Sequence, residues 1–453
     1  MTDFDVVIVG GGPAGLTAAV AAGRRGWRVA LFESNDDIGG MAASFDVADI
    51  RVDHGSHRLH PAASAPVRSM LEELLGDDLQ VRERNGRVRV DGTWLAFPFR
   101  ATDLIRHVSP SFLLGVGRDA LLRPMRRPKA ESYAELVRVG LGPTVLDRFH
   151  GPMAHKLWGV DPALLSEELA RRRLPIRNSA GLVRMVARTS RPTGRVFLYP
   201  RHGFGQIVER LSEAALDAGV QVFTGQPVTS VVPGVGEVRF SSPLGGVGAG
   251  RLLWTGPVAG LQHALGQSVR SPVTHRGLVL VCLVLPHGPW TEFDAHYVPD
   301  PEVVFSRLSE PRNYRHDDRG GPRTVLCAEL PCSPGDALWS ASDEELMARV
   351  VEGIQFCGLP EVHVDEVVVR RLSAVYPVLT VEGRHQRANA LATVDHVPGI
   401  TVLGRQGRLV GDNVHHVMDM ALTAVGCIDD DGSWNDSAWR EACRRFEDHV
   451  VQD

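Results

Sequence analysis

Four consecutive apolar positions, Val6-Val7-Ile8-Val9, stand close to the start of the chain. An unbroken β-branched run of that length is the pattern of a strand buried on both faces, as in a parallel sheet. Gly10, Gly11 and Gly12 interrupt it, and Pro13 to Arg25 continues as an alanine-rich, small-residue helix. Trp27 to Phe32 then reads as a second buried strand, ending at Glu33. The pattern predicts a complete strand–helix–strand unit.

Later segments read as returns to the same layer. Phe204 to Ala218 has the periodicity of an amphipathic helix, and Val220 to Phe223 that of a short strand. Val228–Val232, Val235–Phe240 and Arg251–Trp254 follow as strands joined by glycine-rich turns. Gly245 to Gly250 misses the GxGxxG spacing and reads as one of those turns. Ile400 to Leu403 is the last buried strand, with Gly404 at its end and a helix from about His415 to Ile428 beyond. Two insertions of different texture separate these returns. Residues 76–194 are rich in Arg, Leu and Pro and mostly helical in pattern. Residues 266–384 mix strands (Leu278–Leu285, Thr324–Glu329, Val367–Leu372) with a helix whose start, Ser342-Asp343-Glu344-Glu345, has capping-box spacing. The expectation is an α/β fold: a discontinuous Rossmann-type domain from residues 1–75, 195–265 and 385–453, carrying an inserted α+β substrate domain from 76–194 and 266–384.

Composition narrows the function classes. A chain of 453 residues, 43% hydrophobic and 23% charged, has the balance of a globular protein, and a net charge of -5 leaves no footprint for nucleic acid. The nearest thing to a basic patch, Arg123 to Lys129, is flanked by prolines and reads as a solvated loop, which argues against membrane contact. The six cysteines form no CxxC pair, so reduced thiols are expected. The opening residues carry no targeting pattern and no long apolar run occurs, so a cytoplasmic protein is expected. His415-His416 is the superficial metal pair, but adjacent helical residues point to different faces and spacing supplies no third ligand, so no metal is expected.

Gly10-x-Gly12-x-x-Gly15 lies where a dinucleotide needs it, after a buried strand and opening a helix. Gly10 permits the tight turn, Gly12 the approach of a pyrophosphate, and Gly15 close packing of helix on strand. The helix N-terminus offers free N–H groups to the diphosphate, and Glu33 is placed to accept from a ribose. NAD satisfies this fingerprint as well as FAD does. Gly39-Gly40-Met41 supplies a second close backbone approach, suited to the longer cofactor. Gly404-Arg405-Gln406-Gly407 precedes a second helix start, with Asn413 and Met418 on or before that helix. Both features favour FAD.

These residues resemble the FAD-dependent amine oxidase, phytoene desaturase and protoporphyrinogen oxidase superfamily, which implies a glutathione-reductase-like FAD domain. Further segments look like its UDP-galactopyranose mutase branch: Gly55-Ser56-His57-Arg58-Leu59-His60, His155-Lys156-Leu157-Trp158-Gly159, Arg173-Leu174-Pro175-Ile176-Arg177, Tyr199-Pro200-x-x-Gly203-Phe204, Phe305-Ser306-Arg307-Leu308-Ser309-Glu310, Tyr376-Pro377 and Gly404-Arg405-x-Gly407. The resemblance implies that His57 lies by the flavin edge and that Arg173 and Arg307 hold a diphosphate while reduced flavin N5 attacks an anomeric carbon. It also implies substrate contacts from Trp158, Arg177 and Tyr376. Planar, permanently charged guanidinium forks suit a diphosphate leaving group. One departure is visible: Arg408 to Asn413 offers no phenol where the mutases carry phosphate-contacting tyrosines.

Two functions are therefore carried forward. One is a mutase or oxidoreductase on a nucleotide-linked or other anionic sugar. The other is an oxidase or desaturase of the amine-oxidase type. In bland alternatives, Trp158 is a core aromatic, His57 a loop histidine satisfied by backbone, and Tyr376 a plain strand residue.

Overall fold

The strand Phe4–Val9 sits inside a seven-stranded sheet, flanked in parallel by Val29–Phe32 on one side and Gly245–Trp254 on the other. The computed structural model describes residues 2–99, 103, 106–123, 130–173, 196–234, 236–267, 273–316 and 321–451. Val6, Ile8 and Leu31 face one apolar layer, and Val7, Val9 and Phe32 the other, so both faces are covered and the apolar run is explained. Gln221–Phe223 extends the sheet beyond Val29–Phe32, and the last strand, Ile400–Val402, pairs in parallel with the end of Gly245–Trp254. First and last strands thus share a sheet, as expected.

Gly245 to Gly250 is not a turn. It is the first half of that strand, paired antiparallel with Val238–Ser242. Only Gly245 holds a turn-type φ of 116°. At Gly250 a Cβ would lie 2.8 Å from the carbonyl oxygen of Asp5, a close backbone approach that glycine tolerates inside a strand.

The insertions build a second seven-stranded sheet together. Its order is Glu366–Pro377, His275–Leu285, Thr324–Cys332, Arg307–Ser309, Ala295–Tyr297, Gly86–Val90, Thr93–Phe97. The segment expected to be mostly helical therefore contributes strands, including Leu79–Glu83, which pairs with Val196–Pro200. In Gly86-Arg-Val-Arg-Val90 the valines are buried and the arginines half-buried, so period-2 alternation was present under the basic residues. The helix Asp343–Phe356 is capped by Ser342 Oγ accepting from the Glu345 amide at 3.2 Å, while the Glu345 carboxylate turns to Arg349 instead of closing the box. Residue 385 falls inside the helix Val381–Val394, not ahead of it.

Candidate active site

Gly10 takes a φ of 109°, a left-handed turn that side chains rarely adopt. A Cβ at Gly15 would lie 1.8 Å from the Gly10 carbonyl oxygen, so turn and helix touch there without room for a methyl group. Gly12, at the N-cap of the helix Pro13–Gly23, has nothing within 4 Å of a Cβ and borders open space. Glu33 is buried, and its carboxylate accepts from the Gly11 amide at 2.7 Å and from the Asn35 amide and side chain at 2.9 and 2.7 Å. The expected ribose acceptor is thus already tied into the glycine turn.

The C-terminal return closes over this turn. Gly404 has a φ of 80°, and its Cβ would meet that of Ala14 at 3.1 Å, so the last strand ends against the start of the glycine helix. Arg405 donates to the Asp412 carbonyl at 3.1 Å and to the Val375 carbonyl at 2.8 Å, tying this segment to the second sheet. Asn413 caps the helix Val414–Gly426.

Between the two sheets lies one cavity of about 1410 Å³. That exceeds the ~300–1,000 Å³ of a pocket for one small ligand. Gly10, Gly12, Glu33, Gly40, Met41, Arg405 and Asn413 line it, as do His57, Trp158, Arg173, Arg307 and Tyr376. Arg177 lies outside the described residues. Three cofactor expectations are corrected or refined. Gly39 and Gly404 are absent from the lining; a Cβ at Gly39 would lie 2.9 Å from Val208 Cγ2, and the Gly39 amide donates to the Gly11 carbonyl at 2.8 Å, so both glycines shape the wall from behind. Met418, one turn beyond Val414, is fully buried in the core cluster, whereas Val414 and Val417 line the cavity.

His57 is half-buried and stacked on Phe204 at 4.9 Å, and desolvation pulls its imidazole below the ordinary value. Its Nε2 lies 2.9 Å from the Met41 carbonyl, which only accepts, so that nitrogen carries the proton. Arg173 places its guanidinium 5.0 Å from the Trp158 ring, and Trp158 itself is 3% exposed, at once core and cavity wall. Lys156 holds this wall in place, donating to the carbonyls of Val298, Asp300 and Phe305 at 2.8, 2.5 and 3.1 Å. Tyr376 is half-buried, and its desolvation pushes the phenol up.

Arg307 carries a correction. Its Nε and Nη2 donate to Glu329 at 3.0 and 2.8 Å, a bidentate pair in which the carboxylate also accepts from the Ser56 amide at 2.7 Å. The fork expected to grip a diphosphate is engaged by an acid that sequence reading passed over; no motif marks Glu329. Arg58, quoted in the histidine loop but not singled out, is also buried, paired with Asp294 at 3.0 Å and with the Tyr297 hydroxyl at 2.6 Å.

The far end of the cavity is aromatic. Phe97, Phe99, Phe149, Met153 and Leu157 line it. Among them Tyr133 and His150 sit 3.4 Å apart, His150 at the end of a π-helical turn, Leu146–His150. Burial pushes the Tyr133 phenol up to about 12 and the His150 imidazole down to about 4, so both are neutral near pH 7.

A third possible ligand, which spacing did not show, stands near His416 but not in a set with His415. Asp412, His416 and His449 each place a possible ligand atom within 4.8 Å of the others, the third arriving from the C-terminal tail. Arg172 already donates to the Asp412 carboxylate at 2.9 Å, and His449 Nδ1 lies 2.8 Å from its other oxygen, so two cationic or donor groups occupy that charge.

The family description of a NAD(P)-binding Rossmann-like domain matches residues 8–74. A putative flavin-containing monoamine oxidase, AofH of Mycobacterium tuberculosis, is 34% identical over 114 residues, 25% of this chain and 24% of that protein, so the chain matches about a quarter of that relative's length. A solved structure of reduced UDP-galactopyranose mutase superposes with a TM-score of 0.81 at 18% identity, covering 99% of this chain and 100% of that one. A putative protoporphyrinogen oxidase from Exiguobacterium sp. 255-15 follows at 0.73 and 21%, covering 94% and 98%. Putrescine oxidase gives 0.65 at 16% identity, covering 93% and 98%. These likenesses show the fold, shared over nearly the whole chain: the mixed α/β fold, with its Rossmann-like domain, expected from the motifs.

Proposed function

We propose that this chain is a FAD-dependent enzyme, an oxidoreductase or a flavin-dependent isomerase, acting on a small molecule held in the aromatic half of the cavity. The observation that carries the reading is continuity: one cavity runs from Gly12 and Glu33 to Arg173, Trp158 and Tyr376. Its volume suits a cofactor and a second ligand together. The residues fit FAD. Gly12 leaves an open cradle at a helix N-terminus, the place where backbone N–H groups and the helix dipole favour a pyrophosphate. Glu33 would receive the ribose, and Gly40, Met41, Arg405 and Asn413 would hold the remainder. When bound, FAD supplies hydride or single-electron chemistry.

The chain's own groups then bind and orient. His57 presents a neutral, half-buried ring fixed by the Met41 carbonyl. Arg173, stacked on Trp158, offers an anion anchor, and the aromatic rings exclude water. Because Glu329 engages Arg307, the substrate we favour is an anionic molecule with an apolar body, oxidised or desaturated, rather than one clamped by two arginines.

A second reading, a mutase on a nucleotide-linked sugar, is supported by Arg173 and Arg307 lining one cavity from separate insertions. The missing phenol between Arg408 and Asn413 weighs against it. Spectroscopy of the flavin-loaded protein separates the two. Substrate that bleaches oxidised flavin anaerobically supports the redox reading. Nucleotide sugar that is isomerised only after dithionite reduction, with no net bleaching, supports the mutase. If neither class of compound perturbs the flavin spectrum, the substrate assignment fails in both forms.

A further inference from the structure

Three consecutive arginines end the helix Glu167–Arg173, and each meets different surroundings. Successive helical residues point ~100° apart, so the last turn distributes them around the axis. Arg171 is exposed, Arg172 is 4% exposed, and Arg173 lines the cavity with its guanidinium 5.0 Å from the Trp158 ring. A helix of seven residues is too short to be stable alone, so its last residue is placed by tertiary contacts.

Those contacts converge on Arg172. It donates to Asp412 at 2.9 Å, to Glu447 at 3.1 Å and to Glu168 at 3.3 Å, acids from three segments of the chain. Arg387 shares two of them, donating to Glu168 at 3.1 Å and to Glu447 at 2.9 Å. His449 adds its Nδ1 2.8 Å from the second Asp412 oxygen. Burial opposes charge on Asp412, but His449 and Arg172 hold its carboxyl below the usual range. A planar guanidinium fork satisfied from several sides is fixed in orientation as well as position. The backbone is tied too: the Val451 amide donates to the Arg172 carbonyl at 2.7 Å, and Val451 lines the cavity, as Trp158, Arg173 and Tyr376 do. The stretch from Glu447 to Val451, beyond the helix Asp436–Phe446, thus grips Arg172 by side chain and by backbone.

We propose that Arg172 is a positioning residue, locked by Asp412 and Glu447 so that Arg173 is presented to the cavity, and that residues 447–451 thereby set the affinity for an anionic substrate. The inference rests on the reading of Arg173 as an anion anchor, and adds to it the groups that aim the anchor.

The test uses the flavin-loaded full-length protein and two probes, phenylacetate and its neutral counterpart phenylacetamide, with binding read by calorimetry. Wild type is expected to bind the acid more tightly than the amide, and Arg173→Ala to lose that preference. Arg172→Lys keeps the charge but not the fork, and should weaken phenylacetate ~10-fold with phenylacetamide unchanged. Glu447→Gln alters a carboxylate whose side chain is 47% exposed, so folding is spared, and should weaken phenylacetate ~3-fold in the same selective way. In the Arg173→Ala background neither change should have a further effect. Equal losses for acid and amide would make Arg172 a purely structural residue and overturn the proposal, as would losses that persist once Arg173 is removed. A wild-type preference for the acid that both variants leave intact refutes the positioning role alone. A wild type with no such preference refutes the anchor, and the positioning role falls with it.

Discussion

Replacing Glu329 by alanine tests whether Arg307 belongs to the architecture or to substrate binding. The carboxylate side chain is 1% exposed and the guanidinium 13%, and Glu329 accepts from Arg307 twice and from the Ser56 amide once. Breaking a buried pair from one side costs about 3–5 kcal/mol, because it leaves an uncompensated charge. The Ser56 N–H would lose its acceptor in the same variant. Glu329→Ala should therefore lose about 3–5 kcal/mol in denaturant unfolding followed by tryptophan fluorescence. Arg307→Ala should lose a comparable amount. The double variant should lose less than the sum by at least ~0.5 kcal/mol, since partners in contact do not add. The reasoning is refuted if each single variant loses under ~1 kcal/mol and the two effects add. Arg307→Ala acting only on ligand affinity, at wild-type stability, would restore the two-arginine clamp.

Gly12→Val and Gly15→Ala should separate cofactor from fold: the first, facing open space, gives well-folded but colourless protein, while the second drives a methyl into the Gly10 carbonyl and lowers the melting temperature. Full flavin absorbance in Gly12→Val would move the cofactor elsewhere. Met418→Ala should cost about 2–5 kcal/mol with flavin stoichiometry unchanged, and the reverse pattern would return Met418 to the cofactor. Burial holds His60, His150 and His415 down to about 4 and His416 to about 3. Below the ordinary 6.5 the unfolded chain binds protons that these folded histidines refuse, so stability is complete above 6.5 and declines as pH falls from there to about 3–4. A flat unfolding midpoint between those limits would contradict the burial.

The Rossmann unit was readable because Val6 to Val9 and the glycines obey both-face burial and turn geometry, which depend on local sequence. The cavity-lining glycines, His57, Trp158, Arg173 and Tyr376 were found through motifs that tie a residue type to a backbone turn or a cavity wall. What stayed hidden depends on partners distant in sequence. Glu329 reaches Arg307 across adjacent strands, and His449 reaches Asp412 from the tail. The strand Gly86–Val90 was missed because arginines fill its less buried positions and mask the alternation, and Leu79–Glu83 because its valine, Val81, is exposed and the alternation is absent. Met418 was misplaced because it packs in a core assembled from segments distant in sequence, which the helix pattern alone does not show.

The central claim is that the glycine turn and the C-terminal return enclose FAD. The direct measurement is the absorbance of the purified chain, followed by denaturation and identification of the released chromophore by mass. The account predicts FAD, close to one per chain, taken up again by refolded or stripped protein and lost in Gly12→Val. A wild-type chain that is colourless and takes up no FAD when the cofactor is supplied, or that releases a nicotinamide dinucleotide instead, contradicts it.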